Sequence, residues 1–222
     1  MDQQPDQTLG SALAADRAQA VSSNRSVSRE TWARLDGLIE RLLQWQRHTN
    51  LVADSTLPQV WTRHIADSLQ LLDLAPAAKV WADLGSGAGF PGLVIACALA
   101  DRLGTEVHLV ESKQKKANFL RDCVTALAVP AIVHGERIED FAKANRRVFD
   151  AVTARAVAPL DRLLGLANPL LKTGGVGVFP KGRDVEAELT AASKSWTIDA
   201  ELVPSRTDPH GRIVLVRRVA KR

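Results

Sequence analysis

The chain has 222 residues, of which 45% are hydrophobic and 24% are charged, and its formal net charge at pH 7 is +4. This composition suits one folded domain with a sizeable core and excludes a chain that is mainly disordered or fibrous. The longest apolar stretch, residues 93–100, is far shorter than the roughly 20 residues that cross a bilayer.

The cysteine and histidine content predicts neither a disulfide framework nor a metal site. The two cysteines, Cys97 and Cys123, lie in separate helical patterns, and the five histidines complete no zinc signature. No basic-then-apolar leader opens the sequence. We therefore expect a monomeric, cytoplasmic protein that binds neither metal nor membrane.

Charge is distributed unevenly along the chain. Residues 1–24 carry three Asp and one Arg, whereas residues 202–222 carry six Arg or Lys and a single Asp. The basic end suits a polyanionic partner, although such a segment can also serve only to keep a protein soluble.

The first part of the chain is predicted to be helical. Residues 1–24 are rich in Gln, Ala, Ser and Asp without a stable apolar period, which predicts a mobile extension. From Ser28, apolar residues recur at three- and four-residue steps and predict an amphipathic helix ending near Gln46. A second helix is predicted from near Pro58 to Leu72. We expect residues 25–222 to form a single domain, with helices in 25–75 and a sheet in 76–222.

Strand and helix patterns alternate through the rest of the chain. The β-rich runs are residues 79–84, 106–111, 131–133, 149–153 and 175–179, and the helical patterns are residues 93–99, 113–127, 136–142, 160–171 and 185–194. This alternation predicts an α/β fold whose mostly parallel sheet is covered on both faces. The last two runs, residues 196–203 and 212–217, have no helix between them and predict a hairpin that makes one edge strand antiparallel.

A glycine-rich loop follows the first predicted strand. Residues 83–92 read D-L-G-S-G-A-G-F-P-G, so that Gly85, Gly87 and Gly89 alternate before a helix. Glycines allow a ligand to approach the backbone, and the helix start favours a negative group. Glu111, at the end of the next strand, can accept hydrogen bonds from two ribose hydroxyls. The pair predicts a nucleoside-cofactor site, and the alternative is a tight turn without a ligand.

The spacing of the glycines distinguishes two kinds of cofactor. A dinucleotide site uses G-x-G-x-x-G, whereas here the third glycine comes one residue earlier and Asp83 precedes the loop. This D-x-G-x-G-x-G pattern resembles the first motif of Rossmann-like class I S-adenosylmethionine methyltransferases, with NAD as the remaining alternative. The class implies a seven-stranded sheet with an antiparallel C-terminal strand.

Longer segments resemble one family, the bacterial 16S ribosomal RNA guanine-N7 methyltransferases (small-subunit methyltransferase G, or glucose-inhibited division protein B). The string R-H-I-x-D-S-L, residues 63–69, precedes the glycine loop as it does in that family. The segments that carry the resemblance are residues 50–72, 82–93, 109–121, 135–141, 152–160, 179–184 and 210–218.

The resemblance implies S-adenosylmethionine as cofactor and guanine 527, in the decoding-region loop of 16S RNA in the small ribosomal subunit, as target. By position, the implied cofactor-binding residues are Gly85, Gly87, Gly89, Phe90, Glu111, Ile138, Glu139 and Arg155. The implied catalytic residues, between cofactor and target, are Arg155 and Lys181. The implied RNA-binding residues are Lys115, Arg137, Lys181 and Arg212.

The residues also agree with attack by guanine N7, which has a lone pair and no proton to lose. Catalysis of such a transfer is mainly positioning and electrostatics. The loop after the fourth strand, residues 153–157, lacks the Pro-Pro-aromatic sequence used for exocyclic amines, and both cysteines lie in helical patterns rather than loops. Two alternatives remain open: a small-molecule methyltransferase of the same fold, and a non-catalytic RNA-binding module gated by a nucleoside.

Overall fold

A central sheet of seven strands organises the molecule, for which a computed structural model describes residues 4–222, the side chains of residues 4–7 excepted. The strands are β1 (Val80–Leu84), β2 (Glu106–Val110), β3 (Ala131–His134), β4 (Phe149–Ala154), β5 (Leu171–Lys181), β6 (Trp196–Pro204) and β7 (Arg212–Lys221). Their order is β3-β2-β1-β4-β5-β7-β6. In this sheet β7 runs opposite to the other six strands, so the predicted α/β fold with an antiparallel C-terminal strand is confirmed.

The position of the antiparallel strand corrects one expectation. The sequence predicts that the closing hairpin makes an edge strand antiparallel, but β7 inserts between β5 and β6, and β6 forms the edge. The burial of the two strands supplies the reason. Residues 213–216 of β7 form a continuous buried run, as an inner strand requires, whereas β6 alternates between exposed and partly buried positions.

Helices cover both faces of the sheet. They are α1 (Gln4–Ser23), α2 (Arg29–Gln46), α3 (Asp67–Leu69), α4 (Leu71–Leu74), α5 (Gly92–Leu99), α6 (Gln114–Leu127), α7 (Ile138–Ala144), α8 (Leu160–Ala167) and α9 (Val185–Ala192). One core packs α2, α5 and α6 against the sheet, and a second core packs α7, α8 and α9 against the other face. No helix in the described range is long and apolar enough to cross a membrane.

The N-terminal segment differs from the predicted mobile extension. Residues 1–3 lie outside the described residues, but Gln4–Ser23 form helix α1. Asp16 of α1 is buried, and its carboxylate accepts a hydrogen bond from the backbone N–H of Trp61 at 2.7 Å. The helix has no amphipathic period that would reveal it, although Ala20 is buried in the core and Leu9, Leu13 and Val21 pack against that core.

The region predicted as one helix from Pro58 to Leu72 is broken into shorter pieces. A 3₁₀-helix spans Asp54–Gln59, a π-helical turn spans Trp61–Ala66, and α3 and α4 follow. Further along, the helix predicted over residues 160–171 ends at Ala167, and β5 begins at Leu171. Pro169 explains this early end, because proline has no backbone N–H to continue the helical hydrogen bonds and its ring clashes with the carbonyl four residues earlier.

Strand register brings the predicted site residues to one edge of the sheet. Leu84 at the end of β1 is paired with Ala154 at the end of β4, so the glycine loop and Arg155 follow neighbouring strand ends. Lys181 at the end of β5 is paired with Arg212 at the start of β7. Ligands bind at this carboxyl edge in open α/β sheets.

Candidate active site

The glycine loop leaves one open position on its cofactor side. Gly85, Gly87 and Gly89 all have positive φ angles, of 70°, 55° and 85°. A Cβ on Gly87 would meet only the Gly85 carbonyl oxygen at 3.8 Å and Lys116 Nζ at 4.0 Å, whereas a Cβ on Gly89 would collide with the side chain of Leu93. Gly89 is therefore required for packing, and Gly87 keeps space open for a ligand.

Glu111 links the second strand to this loop. Its carboxylate accepts hydrogen bonds from the backbone N–H groups of Gly87 at 3.0 Å and Lys113 at 2.7 Å. The residue is 8% exposed and lines the same cleft as the loop. A carboxylate has about four acceptor sites, so Glu111 can also accept bonds from ribose hydroxyls.

Asp83 is a buried carboxylate behind the loop. Oδ2 accepts a hydrogen bond from the Gly92 N–H at 3.0 Å, while Oδ1 is buried without a hydrogen-bond partner among the described residues. Burial raises the pKa of Asp83 to about 6, against hydrogen bonding and the charge of Arg155. The carboxylate thus fixes the start of α5, but burying it in ionised form lowers the stability of the folded state.

The glycine loop, Glu111 and residues 51–64 line a cleft of about 400 Å³. Its lining includes Gly85, Gly87, Phe90, Glu111, His64 and Arg155. The open face at Gly87 and the carboxylate of Glu111 fit a nucleoside cofactor such as S-adenosylmethionine. No cluster of three or more His, Cys, Asp or Glu in the described part of the chain could hold a metal ion.

Arg155 is held by three groups of the π-helical turn and the residue after it. Its Nη1 donates to the Arg63 carbonyl oxygen at 3.2 Å and lies 3.4 Å from Asp67 Oδ2, and its Nη2 donates to His64 Nδ1 at 2.8 Å. Burial lowers the pKa of the Arg155 guanidinium, and the Asp67 and Asp83 charges oppose that shift. The side chain is thus a cation in a defined position at the end of β4.

His64 connects this cation to the cofactor loop. Its ring stacks on Phe90 with 4.9 Å between centroids, and its Nε2 lies 3.3 Å from Thr56 Oγ1. A guanidinium only donates, so Nδ1 is the acceptor and the ring proton is on Nε2. Burial, with the charges of Arg155 and Arg63, lowers the pKa of His64 to about 3. The imidazole is neutral at physiological pH.

A second cleft, of about 570 Å³, meets the first at Arg155. Lys181 and Arg212 line it from the neighbouring strands β5 and β7. Lys181 Nζ donates to the Ala158 carbonyl oxygen at 2.8 Å and pairs with Glu188 at 2.7 Å, with its side chain 10% exposed. Arg155 therefore lies between the first cleft and this larger second cleft.

The structure does not bring the remaining predicted site residues to these clefts. Ile138 and Glu139 lie at the start of α7, where Glu139 pairs with Arg162 at 3.1 Å, and the lining of the first cleft in the described residues does not include them. Arg137 precedes that helix and is exposed. Lys115 is exposed on α6, one position before Lys116, which does line the first cleft.

Comparison with known proteins identifies the family. A family model described as rRNA small subunit methyltransferase G (GidB) matches residues 32–211. The chain belongs to the rRNA small subunit methyltransferase G family. Ribosomal RNA small subunit methyltransferase G of Bradyrhizobium sp. (strain BTAi1) is 56% identical over 204 residues, covering 92% of this chain and 91% of that protein. The namesake from Nitrobacter hamburgensis is 54% identical over 218 residues, covering 98% and 84%.

Solved structures share the fold of this chain. Cofactor-bound Rv0187 from MTB matches with a TM-score of 0.58 at 15% identity, over 84% of this chain and 90% of that chain. TYW2 from M. jannaschii in complex with AdoMet matches with a TM-score of 0.52 at 16% identity, over 71% and 74%. The predicted class I methyltransferase fold is confirmed.

The sequence alone understated the roles of two residues, His64 and Asp67. His64 reads as a buried core histidine, and Asp67 reads as the partner of Arg63 one helical turn away. The structure instead directs both side chains to Arg155, and Asp67 also accepts from Thr207 Oγ1 at 2.7 Å. Their presence together in the R-H-I-x-D-S-L string was the available signal, but their common partner lies about 90 positions further along the chain.

Proposed function

We propose that this protein uses S-adenosylmethionine to methylate N7 of guanine 527 in 16S ribosomal RNA of the small subunit. The observation that carries the proposal is the position of Arg155, which lines both the nucleoside-type cleft and the wider cleft beside Lys181 and Arg212. Family membership supports ribosomal RNA as the substrate.

The cofactor is assigned to the first cleft. Gly85, Gly87, Gly89, Phe90 and Glu111 would hold it, and it supplies a methyl group on a positively charged sulfur. Arg155 and Phe90 form the wall nearest the second cleft, with the guanidinium carbon 5.7 Å from the ring centroid. The assignment of Ile138 and Glu139 to the adenine stays a prediction.

The side chains around Arg155 suit a reaction without proton abstraction. Both nitrogens of His64 have partners, Arg155 and Thr56, and Asp67 accepts from Thr207 and Gln70 as well as lying against Arg155. Guanine N7 has no proton to lose, so it needs no general base. The chain contributes orientation of the base and a fixed charge distribution.

The charge of Arg155 is balanced by Asp67, which matters because methylation at N7 leaves the purine positively charged. An unbalanced cation beside that ring would oppose the reaction by Coulomb repulsion. The Asp67 carboxylate, 3.4 Å from Arg155 Nη1, reduces this repulsion while the guanidinium keeps its place.

A cysteine nucleophile, which pyrimidine C5 methylation requires, finds no candidate in the described residues. Cys97 and Cys123 are both fully buried. Burial raises the pKa of the Cys97 thiol to about 12 and also raises that of Cys123. Neither sulfur is a thiolate at physiological pH.

RNA would reach the second cleft as an unpaired or flipped nucleotide, because the major groove of A-form RNA is too narrow for side chains to reach N7. Lys181 and Arg212 line that cleft, and exposed Lys115 and Arg137 would contact phosphates outside it. The enzyme would act in the cytoplasm as a monomer and without a metal ion. Sedimentation of the protein alone and with ribosomal subunits tests the monomer, and activity in the presence of a chelator tests the metal.

The deciding experiment is methyl transfer from radiolabelled S-adenosylmethionine to small subunits from cells that lack the protein, and to naked 16S RNA. Borohydride and aniline cleave RNA at 7-methylguanosine, so the modified position is mapped in the same sample. We expect one cut at guanine 527. Label without a cut would overturn N7 as the acceptor, and cofactor binding without label would favour a small-molecule methyltransferase or a non-catalytic RNA-binding module.

A further inference from the structure

Helix α1 carries one buried carboxylate, which accepts hydrogen bonds from a distant turn of the chain. Asp16 is 7% exposed; its Oδ2 accepts from the N–H groups of Trp61 at 2.7 Å and Thr62 at 3.2 Å, and its Oδ1 accepts from Thr62 Oγ1 at 2.6 Å. The first N–H groups of a helical turn have no partner within the turn, and a negative charge there is favourable. Asp16 thus caps the π-helical turn Trp61–Ala66 from a distant part of the chain.

Within the described chain, the π-helical turn has no side-chain cap from its own N-cap residue, Val60. Trp61 is 3% exposed, so without Asp16 its N–H would be buried and unpaired. Such a group costs about 1–3 kcal/mol, which favours a shift of the turn that lets its N–H groups reach water. The geometry of this turn therefore depends on α1.

The middle of the same turn and the residue after it hold Arg155. The Arg63 carbonyl, His64 Nδ1 and the Asp67 carboxylate all contact its guanidinium, and they follow the two capped N–H groups within five residues. A rotation or shift of so short a turn moves all three acceptors together. Arg155 would follow them, since they are its hydrogen-bond acceptors in the described structure.

Asp16 and Gln19 of α1 also line a third cleft, of about 690 Å³, together with Arg63, His64 and Arg155. The helix is thus adjacent to the cation that separates the cofactor cleft from the wider cleft. The family model begins at residue 32, so α1 lies outside the residues it matches.

We propose that Asp16 is a positioning residue for methyl transfer: by capping the turn Trp61–Ala66 it places Arg155 between the two clefts. The kinetic part of this inference rests on the proposed function, whereas the structural part does not. The helix that carries Asp16 is accordingly part of the catalytic apparatus, although Asp16 itself contacts neither cofactor nor base.

Kinetics of Asp16→Ala test the inference on intact small subunits. We expect kcat to fall by about tenfold to a hundredfold, as for a small misplacement of a positioned group, while the Kd for S-adenosylmethionine from calorimetry stays within about twofold. Asp16→Asn keeps an acceptor oxygen without the charge, so its kcat should lie between those of Asp16→Ala and the parent. A kcat for Asp16→Ala equal to that of the parent would overturn the proposal.

Arg17→Ala is the matched control. Arg17 is the next residue of α1; it pairs with Asp36 at 2.5 Å and lies over the Trp61 ring, but it does not cap the turn. We expect this variant to lose docking contacts of α1 and still transfer methyl at the parental kcat. Equal losses in Arg17→Ala and Asp16→Ala would show that only the docking of α1 matters and would refute the specific role of Asp16.

An NMR titration of His64 gives a readout without RNA. Arg155 and Arg63 are the charged groups that face this imidazole, and both disfavour its protonation. If Arg155 moves away in Asp16→Ala, His64 should titrate at a clearly higher pH than in the parent. An unchanged titration midpoint of His64 would refute the displacement of Arg155. If the midpoint does shift in Asp16→Ala but the parent protein does not methylate RNA, the proposed function is wrong and the structural part of this inference stands.

Thr62→Val covers the case in which Asp16→Ala does not fold. It removes one hydroxyl bond to Asp16 Oδ1 and leaves both backbone N–H bonds to Oδ2. We expect a smaller fall in kcat and a smaller rise in the His64 titration midpoint, both in the same direction. No change in either quantity would count against the proposal.

Discussion

The carboxylate of Glu111 accepts a hydrogen bond from the backbone N–H of Gly87 at 3.0 Å, although 24 residues separate them. The group assigned to the ribose and the loop assigned to the rest of the cofactor are therefore one connected unit. A change in either residue should alter the binding of the whole nucleoside.

Gly87→Val should abolish cofactor binding. A branched side chain at this position would project into the open cleft, since the nearest heavy atoms around a Cβ lie 3.8 Å and 4.0 Å away. Calorimetry with S-adenosylmethionine measures the loss. Gly104→Val is the control, because Gly104 has a comparable φ of 74° and lies in the turn before β2. If Gly87→Val binds S-adenosylmethionine with the affinity of the parent, the glycine loop is not part of the binding site.

Arg155→Ala should lose methyl transfer by about a hundredfold or more while the fold survives. Asp67 keeps hydrogen bonds from Gln70 and Thr207, so the variant does not leave a buried carboxylate without partners. Radiolabel transfer and circular dichroism measure the two effects. Arg217→Ala, which removes an exposed ion pair with Glu201, should keep its activity. Normal transfer in Arg155→Ala, or its unfolding, contradicts the assigned role.

Asp83→Asn should change how stability depends on pH. The folded pKa of Asp83, about 6, lies above its ordinary value of 3.8, so the folded state loses stability as pH rises between these values. The parent therefore carries a penalty of about 3 kcal/mol at pH 8 that the amide lacks. Urea unfolding at pH 4 and pH 8 should show that the free energy of unfolding of the variant, relative to that of the parent, is larger at pH 8 than at pH 4. A pH-independent difference would contradict the raised pKa.

His64→Gln should change the dependence of stability on pH at acid pH, where the parent loses stability as the pH falls. The folded pKa of about 3 lies below the ordinary 6.5, so the parent loses stability as pH falls from 6.5 toward 3. The glutamine variant lacks this loss, which is about 3 kcal/mol at pH 4.5. Urea unfolding at pH 7.5 and 4.5 measures it. Parallel curves for the two proteins would mean that the pKa of His64 is the same in the folded and the unfolded chain.

Salt dependence should separate the RNA-facing cations from those elsewhere. Lys115→Ala and Arg212→Ala should each lower the slope of log K for RNA against log salt by about one unit. Arg218→Ala should not, because Arg218 lines a cleft at the opposite end of the sheet with Arg147 and Lys172. Filter binding over a salt series measures the slopes. An equal effect of Arg218→Ala would place RNA on both ends of the sheet.

Much of the fold was predictable because each strand and helix carries its own periodicity. The alternating runs identified all seven strands, and the glycine loop after β1 located the cofactor edge. The strand order at the C-terminus was not predictable in the same way, since a hairpin can add to a sheet with either strand inside. The convergence of His64, Asp67 and Arg155 was also hidden, because it depends on how α3 and the end of β4 meet in space. Helix α1 was missed because its apolar residues follow no helical period, and because the hydrogen bonds of Asp16 join parts of the chain 45 positions apart.

The insertion of β7 between β5 and β6 has a consequence for synthesis of the protein. Until β7 has left the ribosome, β5 has an unpaired edge, and the apolar residues 213–216 that will cover it are absent. An exposed strand edge of this kind pairs readily with other chains. Nascent chains stalled before β7 should therefore be prone to aggregation, and because β7 also carries Arg212, they would lack part of the second cleft. Newly made enzyme would become both soluble and competent in one late folding step.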